Sequence, residues 1–387
     1  MSRKLKNKKV EQILTEDTFL DQINEGAKAS DLSDDKKEGY WAIQLYQAIT
    51  GFRSNLSISE KTKLKSSIIH SIRKQKQRKI YYAVSSVAAI LLITIVTLVF
   101  LFNRNQQSSI SKFAVNQEKV EPSVNTRLIL SDQEIEIETK DSKITYDKKG
   151  AKVTIGKDSL LEQTALENQI IYNTLIVPYG KRSQVTLADN SIIWLNSGSK
   201  LIYPVSFSNE KREVFLEGEA FFDIAHNPNH PFYVVSRDVE VKVLGTRFNV
   251  CAYSDDVTTQ TVLEKGSVEL KFKASTILDR SRITISPGTM AEYDPISNEM
   301  NEKNVNTKLY TSWKDGIIIC QKEPLESIVK KVARYYNIKI TIANTGIVSE
   351  TFSGYLDLKN SADEVLQVIN ETLKIEIEEK NNEIIIR

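Results

Sequence analysis

The chain has 387 residues, with 52 Lys and Arg against 50 Asp and Glu and a formal net charge of +2. That length exceeds one ordinary domain, and the near-neutral total hides two unlike parts: residues 1–79 hold 17 basic and 10 acidic side chains, whereas the remainder is net acidic. No nucleophile–base pair, metal-ligand cluster or glycine-rich phosphate loop stands out, which argues against an enzyme and leaves no cofactor or metal to expect.

Residues 1–79 carry three amphipathic helical patterns. The first, around Glu11 to Asn24, sets Leu20 seven residues after Ile13 and Ile23 three further on, with Leu14 beside Ile13, and the second aligns Trp41, Leu45, Ala48, Ile49 and Phe52 with Gly51 as a stop. The third opens on Ser57 and Glu60 in capping-box relation and aligns Leu64, Ile68 and Ile72. A segment of this size buries little core by itself, so its apolar faces make a marginal bundle or wait for a partner. Trp41, Leu45, Phe52, Leu64 and Ile68 are the candidate contact residues. No helix-turn-helix spacing is evident, and no direct nucleic-acid binding is expected.

Residues 80–102, IYYAVSSVAAILLITIVTLVFLF, hold no charged side chain. As a helix they are long enough to cross a hydrocarbon core about 30 Å thick, and their apolar residues fall on every face. Arg73, Lys74, Lys76, Arg78 and Lys79 precede the run, while only Arg104 follows closely. The positive-inside bias therefore predicts one transmembrane helix, with the N-terminus in the cytoplasm and everything after Phe102 outside. Ser85, Ser86, Thr94 and Thr97 are small polar positions suited to helix packing or local unwinding.

Residues 103–125, rich in Asn, Gln and Ser, read as an extended periplasmic tether. From 126 to about 300 the pattern turns to short alternating runs such as Glu134 to Glu138 and Lys152 to Ile155, which predicts an all-β domain, a sandwich or a short solenoid. Within it Trp194 is expected in the core rather than as a ligand-stacking ring. Gly218 is expected at a turn or bulge that a Cβ would strain. His226 and His230 flank Pro228, so a helical zinc pair is disfavoured, and no third ligand is evident. Cys251 and Cys320, the two cysteines, either pair across an oxidising compartment or are simply small buried residues. Gly245-Thr246 has two readings. A Thr hydroxyl attacking the preceding carbonyl of a strained backbone would give a self-cleaving ester, and the alternative is a glycine turn before a β-branched strand starter.

Residues 310–387 read as an α+β domain. A strand at Ile317 to Ile319 leads to a helix from Pro324 to Tyr336, and strands at Ile338 to Ile342 and Thr351 to Leu358 follow. A helix capped by Ser361 and Glu364 comes next, then two strands, Ile375 to Ile377 and Glu383 to Ile386. Ile384 to Ile386 reads either as an exposed edge suitable for β-augmentation or as part of a small covered sheet.

The runs PYGKRSQVTLADNSIIWLNSGSKLIYPVSF (178–207), REVFLEGEAFFDI (212–224), HPFYV (230–234) and VKVLGTRFNVCAY (241–253) closely resemble the FecR family of membrane anti-sigma regulators. WKDG (313–316), KEPLESIV (322–329) and YLDLKNSADEVLQVI (355–369) are similar to the C-terminal, secretin-and-TonB N-terminal-like (STN-like) domain of Bacteroidetes-type members. The resemblance implies that the cytoplasmic segment holds an extracytoplasmic-function sigma factor. It also implies that the periplasmic part docks to the signalling domain of a TonB-dependent outer-membrane transporter, and that Gly245-Thr246 corresponds to a bond at which some members self-cleave. A membrane-anchored envelope protein binding carbohydrate or peptidoglycan is the alternative, and a membrane-tethered transcription factor a third. A mere anchor has no need of three amphipathic cytoplasmic helices.

Overall fold

The computed structural model describes residues 40–41, 59, 63, 66, 70, 91–98, 108–116, 123–131, 133–156, 159–163, 170–272, 282–381 and 383–387. The chain divides into two compact units, 1–104 and 105–387. In the first, residues 91–98 are helical, with Leu91, Leu92, Ile93, Ile95, Val96 and Leu98 all more than half exposed. Among the described residues no helix is long and apolar enough to cross a membrane, and the rest of 80–102 lies outside them.

The second unit begins with a departure from the sequence reading. Where an extended tether was expected, Ser109–Asn116 forms a helix, α1, with Ile110 fully buried. The physical reason is a receiving surface that lies far along the chain, described below.

Eighteen strands among the described residues form a two-layered body. In pairing order, one layer runs Glu134–Ile137, Thr126–Ile129, Tyr172–Val177, Ser199–Pro204, the first half of Arg212–Asp223, Phe232–Val235, Val239–Val243, Val268–Phe272 and Arg282–Ile285. The other runs Ser159–Glu162, Lys152–Ile155, Asp141–Tyr146, Arg182–Thr186, Ile192–Leu195, the second half of Arg212–Asp223, Arg247–Ala252, Thr259–Lys265, Thr289–Asp294 and Glu299–Asn304. Side chains alternate along each strand, so the inward set of both layers joins in one core that includes Leu128, Val185, Ile193, Leu201, Phe222, Phe248 and Tyr293. From Phe232 onward, successive hairpins are laid into alternate layers. The body is thus a sandwich in section whose hairpins stack stepwise as solenoid units do.

Arg212–Asp223 joins the layers, because its first half pairs with Ser199–Pro204 and its second half with Ile192–Leu195 and Arg247–Ala252. The crossing is at Gly218, with φ +100°, where an added Cβ would lie 2.5 Å from the Ser199 hydroxyl. This is the strain expected of that glycine.

Lys308–Thr311 (α2) and a 3₁₀ turn, Ser312–Asp315, lead into the C-terminal domain. There Ile317–Pro324 pairs with Thr351–Asp357, and Glu383–Ile386 pairs with both Lys339–Ile342 and Ile377–Lys380. Two helices, Leu325–Tyr336 (α3) and Ala362–Leu373 (α4), pack on these strands through Ile328, Val332, Leu366 and Ile369. The Ser361–Glu364 capping box is formed in full. Glu383–Ile386 is therefore a central strand and not an open edge. The left-handed turn at Asn381 folds Ile377–Lys380 back onto one side, and Lys339–Ile342 occupies the other. Cys251 and Cys320 are both free thiols, each lying in a strand of a different domain.

Candidate functional site

Several residues of the motifs quoted above, scattered between Gly180 and Trp313, meet where the sandwich joins the C-terminal domain. On the outer face of the second layer, Glu219 accepts hydrogen bonds from the side-chain amides of Asn196, at 2.8 Å, and Asn249, at 2.9 Å. The Asn249 carbonyl oxygen in turn accepts from the indole Nε1 of buried Trp313, at 3.2 Å. Asn249 has one donor and one acceptor end, so it ties the sandwich to the linker in a single orientation.

Helix α3 supplies the second fastening. The Arg334 guanidinium donates to both carboxylate oxygens of Asp256, at 2.8 and 3.1 Å, and to Asp255 at 2.9 Å. It stacks 3.7 Å above the Tyr253 ring. This planar fork is the geometry for which Arg, and not Lys, is suited. Burial alone would lower the Arg334 pKa, but Asp256, Tyr253 and Asp255 overcome it and hold the group charged. The Tyr253 hydroxyl donates to the Ser197 carbonyl at 2.8 Å, and burial pushes its pKa well up. The backbone completes the contact, with the Gly180 amide donating to the Arg334 carbonyl at 2.9 Å. Gly180 has φ +81°, and a Cβ there would meet Asn337 at 3.1 Å. Arg182, held at 2.9 Å by Asp141, donates to the Trp313 carbonyl at 2.9 Å and lies 5.2 Å from the centre of the Tyr335 ring.

Burial raises the Glu219 pKa against the opposing pull of Asn196, Asn249, Lys331 and Arg334. Burial also pushes up the Cys251 thiol beside it, which makes that thiol a poor nucleophile. Glu323 shows the converse: burial pushes it upward, but Lys331, 2.8 Å away, together with Ser327, brings the carboxyl below its ordinary value. The contacts of this junction are directional, each fixing one relative geometry of the groups it joins.

The other sequence candidates lie elsewhere. Gly245 sits in the bend between Val239–Val243 and Arg247–Ala252, outside the left-handed region. Its missing side chain is required by His226, whose Cα would be 2.5 Å from an added Cβ. Thr246 is buried and donates its hydroxyl to the Ser267 carbonyl at 3.0 Å. Packing thus accounts for both residue types at this bond. His230 faces away from His226 in role, its carbonyl accepting from Arg212 at 2.9 Å. Trp194 points out of the sandwich, since Ile193 and Leu195 take the inward positions. It meets Phe221 edge-on at 5.7 Å and lines a shallow polar groove of about 250 Å³ with Arg182, Gln184, Trp313 and Lys314. The expectation of a core Trp is corrected by the period-two alternation itself. Trp41 is exposed and rests edge-on against Tyr40, while Leu45, Phe52, Leu64 and Ile68 lie outside the described residues. Asp255, Asp256, Glu219 and Arg334 escaped the sequence reading. Glu219 lies in the LEGEA run and the two aspartates follow NVCAY just after Ser254, but nothing local links them to Arg334, 78 or more residues on.

Comparison with known proteins agrees with these two bodies. Residues 173–269 match the family described as FecR protein, and residues 317–386 match the FecR C-terminal family. Crystal structures at 1.65 and 2.50 Å resolution of a candidate anti-sigma factor from Parabacteroides distasonis are each 28% identical to this chain with a TM-score of 0.51. They cover 55% and 56% of this chain respectively, and 98% of their own. No curated protein matches.

Proposed function

We propose, from the premise that this chain belongs to the FecR family, that it is a membrane anti-sigma factor. Residues 1–79 hold an extracytoplasmic-function sigma factor in the cytoplasm, and residues 80–102 cross the inner membrane once. The sandwich and C-terminal domain lie in the periplasm and receive a signal from the signalling domain of a TonB-dependent outer-membrane transporter. The observation that carries the reading is the pair of family matches, one on each body of the extracytoplasmic part, together with the likeness to a candidate anti-sigma factor. The exposure of the apolar run at 91–98, whose large side chains are each more than half exposed, supports the membrane assignment. The interdomain junction supports a mechanical route, from a partner on the C-terminal domain through Arg334 and Trp313 to the sandwich.

The test is co-expression of the full chain with the sigma factor encoded beside its gene, followed by purification from membranes. Co-purification that is lost on changing Trp41, Leu45 and Phe52 together to Ala is the expected result. Absence of any association overturns the proposal.

A further inference from the structure

Helix α1 is held by a surface that strand alternation does not explain. Ile202, Phe215 and Val235 point away from the sandwich core, yet Ile202 is fully buried and Val235 nearly so. They are register partners across three neighbouring strands, Phe215 opposite Ile202 on one side and opposite Val235 on the other. Together they make an apolar stripe on an outer face, which is where a strand normally places polar residues. Ile110 of α1 sits on this stripe, and Phe113 meets the Tyr172 ring at 4.9 Å, with Ser109 hydrogen-bonded to the Tyr172 hydroxyl at 2.9 Å.

The helix itself is weak. It has eight residues, no acidic residue in its first turn and no basic residue in its last. One cap, Ser108 accepting from the Ser111 amide at 3.1 Å, serves its start. Helices much shorter than about 12–15 residues are marginal in water, so α1 exists only while it is docked. Melting and undocking are therefore one event, and a contact made by one fully buried side chain, a half-buried ring, Ala114 and one hydroxyl bond is small enough to be reversed without disturbing the sandwich core.

We propose that α1 is a releasable strap, a two-state element lying between the apolar run that ends at Phe102 and the sandwich. Docked, residues 109–116 span about 12 Å as helix. Released, they span up to about 27 Å as extended chain. Release lengthens the connection to the membrane side, uncovers the Ile202–Phe215–Val235 stripe, and converts 109–116 from a folded helix to the extended form that proteases cut. The docking equilibrium does not depend on the anti-sigma reading; only its consequence for signalling does.

Lys112, exposed in the middle of α1, reports on the equilibrium directly. Trypsin cleavage after Lys112 in the full-length protein, purified in detergent, would be followed by mass spectrometry. At low protease its rate follows the open population. The expected order is slow cleavage in the wild type, a several-fold increase in Phe113→Ala and at least a tenfold increase in Ile110→Asp, with the thermal unfolding of the sandwich unchanged. Wild-type cleavage as fast as in urea, or protection of Lys112 undiminished in both variants, overturns the proposal. Where Ile110→Asp fails to fold, Phe113→Ala decides. The strap surviving these tests while no sigma factor co-purifies would leave the device intact and remove the function above.

Discussion

Helices α3 and α1 dock on the same sandwich by opposite means. Around α3 the contact is a network of directed bonds: the Arg334 fork on Asp255 and Asp256, the Tyr253 face beneath it, and the Asn249 amide joining Glu219 to Trp313. Around α1 it is an apolar side chain on an apolar stripe, with a single ring pair and a single interhelical-to-strand hydroxyl bond. Directed contacts admit one geometry, and losing one partner strands a buried charge. Apolar contacts are non-directional and can be left and remade without stranding anything. A chain that must pass displacement at one place and give way at another would use the two kinds in this way.

The contrast is broken most severely at Arg334. Arg334→Ala leaves two carboxylates facing the junction and costs about 2–3 kcal/mol, less than a fully buried pair because Asp255 is more than half exposed. Calorimetry would then show the C-terminal domain unfolding separately from the sandwich, whereas a single unchanged transition would show that the fork fastens nothing. Arg334→Lys loses the fork but keeps the charge, and should fall between the two. Trp313→Phe keeps a six-membered ring but loses the pyrrole half of the indole and its hydrogen bond to Asn249, for about 1–3 kcal/mol, read as a fall in Tm smaller than that of Arg334→Ala and without separation of the domains.

Thr246→Ala tests the two readings of the Gly245–Thr246 bond. Loss of the hydroxyl bond to Ser267 lowers stability by about 1 kcal/mol, and fragments of the full chain on a blot stay the same if packing is the whole role of these residues. Fragments that disappear in the variant establish cleavage.

The smallest effect is that of pH on Glu219. Its pKa is raised by burial, so the folded protein holds that proton more tightly than the unfolded one. Its contribution is full at low pH and is lost as pH climbs from the ordinary value of 4.5 through the raised one. The stability of the wild type relative to Glu219→Gln should therefore decline as pH rises through this window, and a difference that is flat with pH would contradict the assignment.

Local physics was legible wherever neighbours in sequence set the structure. The capping box at Ser361 and Glu364, the helical spacing of Ile328, Val329 and Val332, the positive φ of Gly218 and the alternation that defines the strands all follow from residues within a few positions of one another. Trp194 reads as core from its size and hydrophobicity, but the alternation of Ile193 and Leu195 around it turns it outward. Two other shortfalls had a different origin. Ser109–Asn116 reads as tether because eight residues of its composition make no stable helix alone, and its partner stripe is assembled from strands some ninety to 125 residues later. Glu383–Ile386 reads equally as an edge or as a covered strand because nothing in IIIR states that Lys339–Ile342 will lie beside it.

The all-β class of the middle of the chain, the charge asymmetry on either side of residues 80–102 and the element order of the C-terminal domain were set by periodicity and charge along the sequence. Which surfaces meet was decided by the fold alone. Arg334 reaches Asp255 across 79 positions and Ile110 reaches Ile202 and Val235 across still longer separations. Such contacts depend on strand register and on which strands pair with each half of Arg212–Asp223, which no local pattern encodes.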